Sequence, residues 1–180
     1  MDRSPAANRA LYGSAYLGLS LGLILLHIMP TDIGPDGYPG PDLMLCVTFA
    51  WVLRRPQYVP TLLIAAVFLL TDILFMRPPG LWTALVVVAV EALRARESVL
   101  REQPVAVELG TVAAVLILLH LADWLLLLLF GVPQAQFGPV FLQAISTAVA
   151  YPMVVVLSRL VFKVQKMSPV EYDATRRGAR

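Results

Sequence analysis

The segment Pro41-Asp-Leu-Met-Leu-Cys-Val-Thr-Phe-Ala-Trp-Val-Leu-Arg-Arg-Pro56 decides how the rest of the chain is arranged. Asp42, directly after Pro41, is a good N-cap, because its carboxylate accepts from the unpaired N–H groups of a first helical turn. Arg54, Arg55 and Pro56 end the helix. The predicted helix, 42–53, has about 12 residues and reaches only ~18 Å at 1.5 Å per residue. The hydrocarbon core of a bilayer is about 30 Å thick, so this helix is too short to span unaided. Charge decides that it crosses.

Thirteen of the fourteen Lys+Arg residues fall in four places. Arg3 and Arg9 stand at the N-terminus. Arg54 and Arg55 follow the short helix, and Arg94, Arg96 and Arg101 occupy a later link. Arg159, Lys163, Lys166, Arg176, Arg177 and Arg180 sit at the C-terminal end. Only Arg77 lies elsewhere. Cytoplasmic loops of membrane proteins carry the excess of Lys and Arg. Six crossings with both termini in the cytoplasm put all four groups on one side. Laying 42–53 on the membrane surface inverts everything after it.

Composition agrees. Of 180 residues, 58% are hydrophobic and 14% charged, with mean hydropathy +0.74. Soluble domains run nearer ~45–50% and ~25%. The fold expected is an all-α integral membrane protein, a six-helix bundle forming one domain over 1–180. Its spans are 9–29, 42–53, 58–75, 81–94, 105–130 and 139–161, and 162–180 is a polar cytoplasmic tail. The apolar run Leu11–Met29 is longer than the ~7–15 residues of a signal-peptide core, and no small-x-small site follows, so it reads as a retained helix. Pro30–Pro41 is too rich in Pro and Gly for a helix. The short second and fourth helices force backbone at their outer ends below the headgroups. Non-helical backbone at depth is tolerated only under protein cover or beside a wet cavity. The outer side is therefore expected to be a packed cap, with Asp36, Pro41 and Asp42, or a shallow vestibule.

The net charge of +2, without a basic stripe interleaved with aromatics, speaks against nucleic acid. One cysteine, Cys46, excludes a disulfide within the chain. Charges inside spans are costly and are candidate functional residues. Asp72 and Arg77, five apart, are expected to pair or to share the outer interface. Arg94 is within i+3 reach of Glu91. His120 and Asp123 share a helix face and are expected to hydrogen-bond toward the bundle interior; a proton relay is the alternative. No spacing suits a metal site. Gly18-x-x-x-Gly22, with Gly13 and Ser20, gives the first helix a small-residue face for internal packing or a partner helix. Trp51 fits the inner aromatic belt. Arg54, Arg55, Arg94, Arg96, Lys163 and Lys166 are expected against anionic lipid. No phosphate-binding loop, nucleophile elbow or carboxylate cluster occurs, so no catalytic residue and no cofactor is expected.

From Pro41-Asp42-Leu43 to Trp51-Val-Leu-Arg54-Arg55-Pro56, and again from Leu69-Leu70-Thr71-Asp72 to Pro78-Pro79-Gly80-Leu81, the chain resembles the rod shape-determining MreD family. Length and helix count extend the resemblance over about 9–162. In that family a Pro-Asp opens a short apolar helix ending in an aromatic, basic residues and Pro. The next helix carries an acidic residue before a Pro-Gly turn. The family usually has Gly shortly before that acid, where this chain has Leu70 and Thr71. The resemblance implies a non-enzymatic subunit of the bacterial inner membrane, in the cell-elongation machinery that builds peptidoglycan. It would hold MreC and, through it, the glycan polymerase RodA and its transpeptidase, with MreB beneath. It also implies a fold similar to the substrate-binding subunits of energy-coupling-factor transporters. MreC has a single membrane helix, for which the small face of the first helix and the outer cap are the candidate groove. Two other readings remain open: a substrate-binding transporter subunit of the same shape, and a membrane enzyme acting on lipid-linked substrates through His120 and Asp123.

Overall fold

The computed structural model describes residues 5–28, 40–132 and 136–162. Every regular element among them is helical: α1 (Pro5–Ile28), α2 (Leu43–Arg54), a 3₁₀ turn (Pro56–Tyr58), α3 (Thr61–Leu74), α4 (Leu81–Ala95), α5 (Glu97–Glu102), α6 (Val105–Leu129) and α7 (Phe137–Phe162). Six of these are the predicted helices, with ends moved by at most four residues. The 3₁₀ turn and α5 are additions. They fold two charged links whose composition reads as plain loop.

Three stretches, Arg9–Ile28, Val105–Leu129 and Phe137–Val161, are long and apolar enough to cross a membrane, and α2 and α3 are shorter apolar helices. The described surface is apolar too. Leu62 is 82% exposed and Leu160 74%, and Val88, Leu118 and Val149 also face outward. Water penalises such a skin and lipid does not, so this is the surface of a helical membrane protein.

Lipid tails are as apolar as leucine, so packing and interhelical hydrogen bonds must hold such helices together. Both concentrate on α2, where every residue from Met44 to Arg54 is buried. Asp42 caps the helix as predicted, its Oδ1 accepting from Leu45 N at 2.9 Å. The Asp42 N–H donates to Thr147 Oγ1 at 2.9 Å, and Cys46 Sγ donates to the Thr147 carbonyl at 3.3 Å. Farther along, Trp51 Nε1 donates to Ser158 Oγ at 3.4 Å. The paired residue numbers rise together, so α2 and α7 run parallel. On α1, Tyr16 OH lies 2.8 Å from Thr48 Oγ1, whose own proton goes to the Met44 carbonyl at 2.7 Å. Tyr16 is therefore the donor. Tyr12 stacks on Tyr58 with ring centres 4.2 Å apart.

Enclosure of α2 corrects one expectation. Trp51 is fully buried, between Tyr12, Tyr16 and Ser158, rather than part of an interfacial belt. The small face of α1 also divides. Ser20 sits about 200° around the helix from Gly18 at 3.6 residues per turn. It is buried with Tyr16 and Ile24 on the packed side. A Cβ on Gly13 would meet the Tyr58 carbonyl at 3.6 Å, whereas Gly18 and Gly22 have nothing within 4 Å.

Candidate functional site

Two clusters of charged side chains stand at the two ends of the bundle. At the end carrying the basic links, Arg54 closes α2 against α6 and α7. Its Nη2 donates to Glu108 Oε1 at 2.8 Å, with the two side chains 0% and 1% exposed. Nη1 donates to the Ala50 carbonyl at 3.2 Å and reaches Tyr151 OH at 3.5 Å. Tyr151 OH donates to the same Glu108 oxygen at 3.2 Å. Arg54 was expected against lipid headgroups; it is instead a core residue. The cause is α2 itself: a helix that short ends inside the bundle, where an arginine needs an internal carboxylate.

Glu108 and Tyr151 escape sequence inspection for intramembrane charge, because Glu108 stands near the start of a helix. A signal was present. Glu108, Val112, Leu116 and His120 recur every fourth residue and are all buried, the stripe of a packed helix face. It puts Glu108 in the interior.

Glu91 and Arg94 pair as predicted, at 3.6 Å. Thr61 Oγ1 donates to Glu91 Oε1 at 2.6 Å, and Arg94 donates to the Val59 carbonyl. These bonds lock the entry of α3 onto the exit of α4. Arg55 is half-buried, its guanidinium 5.8 Å from the Tyr58 ring centre, and Arg96 is exposed. Lys163 and Lys166 lie outside the described residues, as does Asp36.

At the opposite end Asp72 clamps the α3–α4 turn. Its Oδ2 accepts from Gly80 N at 2.9 Å, Thr83 N at 3.2 Å and Thr83 Oγ1 at 2.8 Å. A carboxylate there satisfies orphan N–H groups at the start of α4 and complements its dipole. Gly80 takes φ +89°, which only glycine adopts readily. Arg77 shares this interface, its backbone N–H donating to the Asp72 carbonyl at 3.0 Å, but no ion pair joins the two side chains among the described residues. The Arg77 guanidinium lies 5.3 Å from the Trp82 ring centre and 5.8 Å from that of Phe75.

His120 and Asp123 share the predicted face, but no hydrogen bond joins them among the described residues. His120 Nδ1 bonds to the Leu116 carbonyl at 2.9 Å, one turn back on its own helix. The ring makes a T-shaped contact with Trp82, 5.4 Å between centres. Both residues line a cavity of about 200 Å³ with Asp42, Arg77, Trp124 and Gln143. Five elements contribute to it: the start of α2, the α3–α4 turn, the start of α4, the last turns of α6 and the first turns of α7. The shallow vestibule expected at the outer ends of the short helices therefore has a counterpart here. Among the described residues no three His, Cys, Asp or Glu side chains are placed to hold a metal ion.

Comparison with protein-family models, curated proteins and solved structures gives no match.

Proposed function

We propose that this chain is a non-enzymatic scaffold of the MreD type in the bacterial inner membrane. In this reading it crosses six times, with both termini in the cytoplasm, and seats the single membrane helix of an MreC-like protein. Through MreC it organises RodA, its transpeptidase partner and MreB for peptidoglycan synthesis. The observation that carries the reading is where the resembling motifs fall. Asp42 starts the enclosed helix and ties it to α7, Arg54 ends it on Glu108, and Asp72 clamps the following turn. The chemically expensive residues of both motifs thus hold the bundle together, as a scaffold requires. The face of α1 at Gly18 and Gly22 has no neighbour within 4 Å of an added Cβ. Small residues let a second helix approach closely, and this face is offered to one. Arg55, Arg94 and Arg96, on the basic side, lie against anionic headgroups.

The test is capture of the full-length tagged protein from its own cells in mild detergent. MreC co-purifying at a fixed ratio supports the scaffold. A soluble ATPase recovered in its place contradicts it and favours a transporter subunit. Recovery of neither contradicts both.

A further inference from the structure

The cavity opposite the basic end holds groups that the scaffold role leaves unused. The Asp123 carboxylate accepts no hydrogen bond from any described residue, and the Arg77 guanidinium makes only its two ring contacts among the described residues. His120 has its Nδ1 engaged and its Nε2 unpartnered among the described residues. The Gln143 side-chain amide has no described partner either, because only its backbone carbonyl is used, by Ser146 and Thr147. Of the two carboxylates lining this small cavity, Asp42 is engaged as the cap of α2, whereas Asp123 and the Arg77 guanidinium line it without closing an ion pair. Two such charges in an apolar bundle carry a desolvation cost, and a ligand carrying both opposite charges relieves it. Trp82 and Trp124 wall the cavity. At about 200 Å³ it is smaller than the roughly 300–1,000 Å³ pockets that take drug-sized molecules.

We propose that this cavity binds a small zwitterion, its ammonium group on Asp123 beside the face of Trp124 and its anionic group on Arg77. An ammonium gains from both a carboxylate and an aromatic face, and a guanidinium grips carboxylate or phosphate through paired N–H donors. His120 Nε2 and the Gln143 amide supply an acceptor and a donor between the two ends. Two sources offer this chemistry: a free amino acid or phosphoethanolamine, and the headgroup of phosphatidylethanolamine.

The probes are alanine, phosphoethanolamine and phosphatidylethanolamine, applied to the full chain in nanodiscs otherwise made of phosphatidylglycerol. Trp82 and Trp124 line the cavity, so tryptophan emission reports occupancy, with thermal stabilisation as a second readout. Saturable change with either soluble probe identifies a free zwitterion. Change with phosphatidylethanolamine alone identifies the headgroup. Ethanolamine and acetate, each with one charge, should bind at least tenfold more weakly. Asp123→Asn and Arg77→Gln should each weaken binding at least tenfold, and Gln143→Ala at least threefold if a charge variant fails to fold. Exposed Leu62→Ala should change nothing. The proposal is overturned if none of the three probes gives a response, if ethanolamine binds as tightly as phosphoethanolamine, or if the folded variants bind like the parent. Capture of MreC is scored separately, so failure here leaves the scaffold reading standing.

Discussion

Arg54 and Glu108, 54 residues apart in sequence, meet at 2.8 Å with neither side chain open to the surface. The pair joins the end of the short apolar helix α2 to the beginning of α6, and Tyr151 brings in α7. A buried pair is costly to break on one side, because the survivor remains charged and alone. Arg54→Leu should therefore destabilise the protein by about 3–5 kcal/mol. Arg54→Leu with Glu108→Leu should recover most of that loss. Denaturant titration in detergent micelles checks both. Equal loss in the single and double variants would show that the pair does not carry the stability.

The α3–α4 turn gives a second expectation. Asp72→Ala leaves three donors without their acceptor and should cost about 2 kcal/mol, since membrane-protein hydrogen bonds average roughly 0.6 kcal/mol each and buried orphans cost more. Asp72→Asn keeps an acceptor for Gly80 and Thr83 and should lose less than half as much. Thermal melting in detergent measures the difference, and equal loss would remove the carboxylate's role as a clamp.

Glycine substitutions separate backbone from surface. A Cβ on Gly80 meets nothing within 4 Å, but its φ is +89°. Gly80→Ala should cost about 1–2 kcal/mol from the left-handed backbone alone. Gly18→Ile and Gly22→Ile fill open space in ordinary helix and should leave the melting temperature within a degree or two. They should nonetheless reduce MreC capture at least tenfold. Unchanged capture would show that the partner sits elsewhere.

The end of the bundle carrying Arg54, Arg94 and Arg96 is assigned to the cytoplasm by charge alone. Single cysteines at Arg96→Cys and Phe130→Cys test it in intact cells, with buried Cys46 as the silent background. An impermeant maleimide should label Phe130→Cys from outside and leave Arg96→Cys unlabelled until the membrane is opened. The reverse pattern would invert the bundle.

Much of this fold is written locally. Asp42 after Pro41, the stop at Arg54-Arg55-Pro56 and the Pro-Pro-Gly break before Leu81 are cap and breaker signals within a few residues of each other, and the helices begin and end there. Glu91 with Arg94 is legible for the same reason, being one helical turn apart. The fate of Arg54 is not local. It depends on where α2 ends against α6 and α7, and hence on Glu108 and Tyr151, 54 and 97 residues away. The His120–Asp123 bond fails because the i−4 carbonyl of Leu116 competes for the ring nitrogen, a choice that face sharing leaves undetermined. The cavity is the least legible feature, because five separate elements meet to form it.

The scaffold claim rests on what occupies the bare face of α1, and disulfide crosslinking reads that directly. Gly18→Cys and Gly22→Cys, each expressed with MreC carrying single cysteines along its membrane helix, should crosslink at positions on MreC spaced by three or four residues. Cysteines on the packed side of α1, such as Ser20→Cys, should not. Crosslinks from Ser20→Cys but not from Gly18→Cys or Gly22→Cys, or none while MreC is still captured, would contradict the proposed face. No crosslink and no capture would contradict the scaffold itself.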